Sequence, residues 1–298
     1  MTEAAPEKAN APGLWAAALP GVFVVLWSSG FVAGKFGMPY AGPFTFLEIR
    51  YAIVVALLTL VAIATRAPWP RRDKIPAIAV AGLLVQAGYL GGVFAAVSLG
   101  VEAGVSALIA GLQPVLTAAL AGPLLGETVS KRQWLGLALG LAGVTLAVKT
   151  KLALGLGTPA GIGCAIFAML SITCGTLWQK RYCGLMDLRT GTVVQFAASF
   201  VVTAPLALFV DQRGVTWTLN FALALFWLCV VLSIGAITAM FVLIRRGKAS
   251  EVASLFFLVP PTTAIIAWAM FGETLDPVSL AGMGLVVVAV ALVTRGRR

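Results

Sequence analysis

An internal duplication limits what this chain can fold into: the stretch at 98–148 returns at 245–294. A constant offset of 146 lays Pro114 on Pro260, Thr117 on Thr263, Ala118 on Ala264 and Ala121 on Ala267. It also lays Gly126-Glu127-Thr128 on Gly272-Glu273-Thr274, and Gly136 on Gly282. Ungapped identity at one period marks a repeated structural unit. The earlier parts of the two halves match more weakly. An offset of 145 pairs Gly30 with Gly175, Lys35 with Lys180 and Ser28 with Thr173.

Composition says what kind of unit is repeated. Apolar residues make up 60% of the 298 and charged residues 11%, whereas soluble domains carry about a quarter charged. Mean hydropathy is +1.00. Water cannot solvate so many apolar faces, and a bilayer makes them the favoured surface. The expected fold class is an all-α membrane protein. A span needs about 20 apolar residues, and ten stretches qualify: 14–34, 44–64, 75–97, 104–125, 132–148, 158–179, 190–210, 220–244, 251–271 and 277–294. The connections are short and leave no soluble domain. Five spans fall in each half, and an odd number inserts the second copy upside down. The chain is therefore expected to hold two inverted-topology five-helix repeats, at 1–148 and 149–298.

The basic residues give an independent test of that topology. With a cytoplasmic N-terminus the inside segments carry Lys8, Arg66, Arg71, Arg72, Lys74, Lys131, Arg132, Lys180, Arg181, Arg189, Arg245, Arg246, Lys248, Arg295, Arg297 and Arg298. The outside segments carry only Lys35, Lys149, Lys151 and Arg213, while Arg50 lies within a span. Both termini are expected inside. The net charge of +10 is thus explained by topology, and no nucleic-acid partner is expected. The N-terminal segment is too polar and acidic for a cleaved signal peptide, so the first span is expected to direct insertion. The chain has no histidine, and Cys164, Cys174, Cys183 and Cys229 show no CxxC spacing. No metal site and no cofactor are expected, and the cysteines read as small packing residues.

Inverted repeats bring paired helices together near the membrane midplane, where transported solutes bind. Pro114 falls near the middle of the fourth span, and Pro260 and Pro261 near the middle of the ninth. Each helix is expected to kink there and bare a carbonyl, forming a pair of hinges. Polar and aromatic side chains at depth are the candidate cavity lining: Trp27, Gln86, Tyr89, Phe94 and Gln113. Gln86 and Tyr89 are three apart and share a face if the helix is α. Each amide or phenol can equally serve as glue between helices, as can Gln195 with Ser199. Glu48 and Arg50 are two apart and point in different directions. Arg50 is expected to snorkel to the interface. Glycines at 136, 140 and 143, and at 88, 91 and 92, mark close helix packing. No Asp, Glu or His stands at the midplane, so movement down a gradient needs fewer assumptions than a proton relay.

Two five-helix halves, each with a proline in the fourth helix, then Gly-Glu-Thr, then a glycine-rich fifth helix, resemble the EamA-type drug/metabolite transporter superfamily. The residues that carry the resemblance are Pro114, Gly126, Glu127, Gln133, Gly136 and Gly140, then Pro260, Gly272, Glu273 and Gly282. The second copy departs at Ser279 and Val286, where the first has Gln133 and Gly140. The resemblance spans nearly the whole chain and is greatest to the aromatic and neutral amino acid exporters. It implies export of small metabolites across a bacterial inner membrane by alternating access. Trp27, Tyr89 and Phe94 would suit an aromatic solute. A multidrug carrier of the same fold is the alternative, and a nucleotide-sugar carrier is disfavoured by the lack of midplane cations for a phosphate. An intramembrane enzyme would need a nucleophile–base pair or an acidic metal cluster, and neither is evident. One chain encloses the site between its repeats, so a monomer suffices.

Overall fold

The computed structural model describes residues 14–125, 130–155, 157–184, 186–212, 214–236, 239 and 255–295. The first Gly-Glu-Thr turn and the basic cluster Arg245, Arg246 and Lys248 lie outside the described residues. Among the described residues the structure is helical, with no strand. The helices are α1 (Leu14–Gly37), α2 (Pro43–Ala64), α3 (Ile75–Ser98), α4 (Ala103–Ala110), α5 (Gln113–Leu125) and α6 (Lys131–Ala153). In the second half they are α7 (Pro159–Tyr182), α8 (Leu188–Phe209), α9 (Leu219–Phe226), α10 (Val259–Phe271) and α11 (Pro277–Arg295). Six helices are long and apolar enough to cross a membrane, and four apolar stretches are shorter: Ala103–Thr117, Leu219–Leu232, Val259–Phe271 and Pro277–Leu292.

The starts and stops follow local chemistry. Thr158 and Thr218 accept hydrogen bonds from the Gly161 and Phe221 amides, and Asp276 accepts from Ser279. These side chains satisfy donors that a first helical turn leaves unpaired. Pro43, Pro159 and Pro277 open their helices, where a missing N–H costs nothing. Gly272 ends α10 in the left-handed region, φ 67°, which a residue without a β-carbon adopts freely.

The two halves pack reciprocally. α1 lies against α9 and its continuation Trp227–Ala236, while α7 lies against α3. α1 meets α10, while α7 meets α4 and α5; α2 pairs with α8, α4 with α10, and α6 with α11. Each of these pairings of unlike helices therefore has its counterpart, though the packing of α5 on α11 does not. Small residues set these contacts. A β-carbon at Gly143 would sit 2.5 Å from the Gly282 carbonyl oxygen, and one at Gly282 would sit 2.5 Å from the Gly143 oxygen. Gly92 packs on Cys164 and Ala168, and Gly82 on the backbone of Gln195. The Ser199 hydroxyl donates to the Gly82 carbonyl, and Gln195 bonds Gln179, so these polar residues join helices. The outer surface is apolar, with Phe209 84% and Leu208 76% exposed, as a lipid-facing surface requires.

Connections gather at two ends. At one end the Thr45 amide donates to Asp211, Thr216 to the Tyr40 carbonyl, and Lys35 pairs with Glu273. At the other the Thr190 hydroxyl donates to the Pro68 carbonyl and the Trp178 indole to the Ala77 carbonyl.

Candidate functional site

The duplicated prolines correct one expectation. Pro114 does not kink a continuous helix but opens a new one, and Pro260 and Pro261 likewise stand in the first turn of a helix. α4 stops at Ala110, Gly111 and Leu112 form a turn, and Pro114 lies in the first turn of α5. The Pro114 ring would clash with the carbonyl four residues back, and that carbonyl belongs to the last residue of α4. In the second half a short 3-10 turn at Phe256–Leu258 precedes α10, and Pro260 and Pro261 occupy its first turn. The two interruptions touch. A β-carbon at Gly111 would lie 2.9 Å from Pro260 Cγ. Ser28 on α1 donates to the carbonyl of Val259, the first residue of α10.

The other candidate residues divide among three places. Trp27 is half-buried beside this junction, with Phe256 edge-on at 5.0 Å and Phe23 at 5.6 Å. Gln113, at the start of α5, donates from Nε2 to the Thr176 hydroxyl of α7 at 3.0 Å. Thr176 also lines a recess of about 390 Å³ with Val85, Ile172, Gln179 and Lys180, towards the Thr190–Pro68 end. Phe94 lies apart in the core, 3% exposed, its ring 5.3 Å from Phe46 and against Gly34.

Gln86 and Tyr89 sit on an irregular element that periodicity could not reveal. Residues Leu83–Leu90 of α3 form a π-helix, and so do residues Trp227–Ala236 after α9, near the duplicated position. The wider i→i+5 turn removes the shared face that α geometry gives to positions three apart. Gln86 is fixed through its backbone: its carbonyl accepts the Tyr51 hydroxyl at 2.8 Å. Arg50 stands between the two π-helices. Its carbonyl contacts Cys229 Sγ at 3.9 Å, and its guanidinium is within electrostatic reach of Tyr51, Tyr89 and Cys229. Arg50 is 7% exposed, so it does not snorkel as the sequence suggests. Glu48 points elsewhere, to the Thr203 hydroxyl of α8.

The end of the bundle opposite the recess is closed by charge. Glu273 receives Lys35 Nζ at 2.6 Å and the amides of Ala103 and Gly104 at 2.8 and 3.2 Å. A carboxylate at the positive end of α4 is doubly favoured. Beside it the buried Lys151 ammonium lies 2.8 Å from Glu102 and 3.3 Å from Asp276. Lys151 also donates to the Thr274 carbonyl and hydroxyl, both at 2.6 Å. The network joins the C-terminal ends of α1 and α6, the start of α4 and the α10–α11 turn. For Asp276, burial pushes the carboxyl up, but hydrogen bonding from Ser279 and the Lys151 charge outweigh this and hold it below its ordinary value.

The model of the EamA-like transporter family matches twice, at residues 13–149 and 159–295. The chain belongs to the EamA-like transporter family. Its relatives, each 26% identical, include the "Uncharacterized inner membrane transporter YedA" of Escherichia coli K12, matched over 92% of this chain and 88% of that protein. A "Probable amino-acid metabolite efflux pump" of Salmonella typhimurium matches over 92% of this chain and 93% of that one. A "Probable terminal-alkyne amino-acid exporter" of Streptantibioticus cattleyicolor matches over 96% and 95%. A crystal structure 19% identical aligns with TM-score 0.63 over 95% of this chain and 98% of that chain, a likeness of fold. This EamA-family chain is thus a membrane transporter, and the family's members are transporters rather than enzymes.

The sequence left two parts of the EamA-family architecture unread. The charged seal is built from Glu102, Lys151 and Asp276, which are far apart in sequence and look like ordinary loop charges. Glu273, which the duplication places at the end of its helix, reaches across to cap the start of α4. Its duplicate, Glu127, lies outside the described residues. Among the described residues no cluster of His, Cys, Asp or Glu could hold a metal ion.

Proposed function

We propose that this protein exports small metabolites, with neutral and aromatic amino acids as substrates, across a bacterial inner membrane by alternating access. The observation that carries the reading is the meeting of two interrupted helices, one from each half, at Gly111 and Pro260. Discontinuous helices facing each other across a repeat interface are where transporter sites form. Relatives named as amino-acid metabolite efflux pump and amino-acid exporter favour amino acids, and a relative named as an inner membrane transporter favours that membrane.

In this reading the halves, 1–148 and 149–298, are inverted repeats of five spans each, with both termini cytoplasmic. The reciprocal helix pairings and the distribution of basic residues support it. The end sealed by Lys35, Lys151, Glu102, Glu273 and Asp276 is then the outside, and the recess at Thr176 and Gln179 opens inward. Trp27, Gln86, Tyr89 and Gln113 contact the solute, and Phe94 supports them from the core. The interruptions before Pro114 and at Pro260-Pro261 flex as one helix bundle rocks against the other. A monomer carries the whole cycle.

Counterflow in proteoliposomes tests this. Vesicles loaded with unlabelled phenylalanine, threonine or methionine should take up the labelled compound saturably without an ion gradient. Absence of uptake for all three, with folded protein, would shift the substrate to another metabolite class or drug, or require a coupling ion.

A further inference from the structure

Arg50 is a cation buried in a membrane span, and nothing among the described residues neutralises it. Its Nε is enclosed and has no hydrogen-bond partner. Among the described residues no carboxylate or other acceptor pairs with any nitrogen of its guanidinium. The carboxylate two positions earlier, Glu48, is held by Thr203. The groups within electrostatic reach of Arg50 are two phenols and a thiol, Tyr51, Tyr89 and Cys229, all neutral at ordinary pH. An unpaired buried charge is costly, and inside a membrane it marks a solute path or a missing counter-ion.

The surroundings indicate what the missing partner is. The Tyr51 hydroxyl is already engaged, donating its hydrogen bond to the Gln86 carbonyl. The half-buried Tyr89 hydroxyl makes no hydrogen bond among the described residues. A planar guanidinium fork and a free phenol donor on neighbouring helices match a carboxylate, which accepts two N–H bonds from arginine and can accept a third. The site also lies between the π-helices of the two halves, Leu83–Leu90 and Trp227–Ala236. Such widened turns recur at functional sites.

We propose that Arg50, assisted by the Tyr89 hydroxyl, binds the carboxylate of the transported solute, so that the substrates are carboxylate-bearing compounds such as amino acids. This rests on the reading of the chain as a metabolite exporter and narrows its substrate class. The solute supplies the charge that Arg50 lacks. Only a small part of the side chain is exposed, so the anchor opens and closes with the transport cycle.

Two measurements test it separately from the transport reading. The first is thermal stabilisation of the detergent-purified protein by matched ligands: phenylalanine against phenylalaninamide, methionine against methioninamide, and benzoate against benzamide. Each acid should stabilise at a concentration at least about tenfold lower than its amide, the discrimination expected from charged hydrogen bonds. R50Q should abolish that preference, R50K should keep part of it, and Y89F should weaken it severalfold. Equal ranking of acid and amide by the wild type would overturn the assignment, as would an undiminished preference in folded R50Q. If R50Q does not fold, R50K and the wild-type ranking still decide. The second measurement is counterflow with the same acids. Benzoate stabilisation that depends on Arg50, without counterflow of any amino acid, would keep the anchor and sink the amino-acid export reading.

Discussion

The β-carbon that Gly111 lacks would lie 2.9 Å from Cγ of Pro260, so the interrupted helices of the two halves meet at their interruptions. A proline ring cannot swing aside as a flexible side chain can. G111A should therefore destabilise the protein by about 1–3 kcal/mol, the usual cost of overpacking, and slow transport. Gly21 has nothing within 4 Å of its absent β-carbon, and G21A should leave both unchanged. Thermal melts and initial counterflow rates on the two variants check this.

Pro114 and Pro260 keep their helices interrupted, since alanine at either place would remove the clash with the preceding turn. P114A and P260A should fold normally but transport at a small fraction of the wild-type rate. Normal flux in both variants would show that the interruptions do not flex.

Lys151 neutralises Glu102 and Asp276 at once, with 3% of its own side chain exposed. K151M leaves two carboxylates facing each other in a partly buried site. Breaking such a pair costs about 3–5 kcal/mol, so the melting temperature should fall by many degrees. If the sealed end is the outer gate, a maleimide probe at a cysteine introduced at the buried Ala103 should also react faster. An unchanged melt would mean the network contributes little.

Glu273 and Lys35 share one ion pair but are not equivalent. Glu273 also holds two α4 amides, whereas Lys35 is part-exposed and donates to Glu273 alone among its hydrogen bonds. E273Q should cost more than K35M, by roughly 1–2 kcal/mol on the scale of charged hydrogen bonds. Equal effects would assign the whole contribution to the ion pair.

Acid should loosen the same end. The Asp276 carboxyl is held below its ordinary value, so the unfolded chain binds its proton first and stability falls as pH falls. The contribution is complete above the ordinary carboxyl range, about 3.9, and is lost as pH drops through the depressed value. D276N should remove that acid limb of the stability–pH curve.

The parts of the fold legible in the sequence are those that leave a periodic or repeated trace. Apolar length marks the helices, and the duplicated Pro114 and Pro260 mark the places where α5 and α10 begin. The type of break was not legible: a proline has the same letter whether it bends a helix or opens one, and the stop at Ala110 depends on tertiary packing at Gly111. Gln86 and Tyr89 share a face only if the turn is α, and the widened turn leaves no signature in residue spacing. Arg50 illustrates the remaining gap. Its position near one end of α2 favours snorkelling, but the surrounding helices leave it only 7% exposed.

The seam between α6 and α11 has a mechanical consequence. Gly143 and Gly282 each press on the other's carbonyl oxygen, with no space for even a methyl group. A slide by one residue's rise, about 1.5 Å, would bring a neighbouring side chain onto that oxygen. The two helices can roll against each other more easily than they can slip. In the proposed cycle the glycine seam would act as an axle, with relative movement of the halves expressed as rotation about it rather than translation along it.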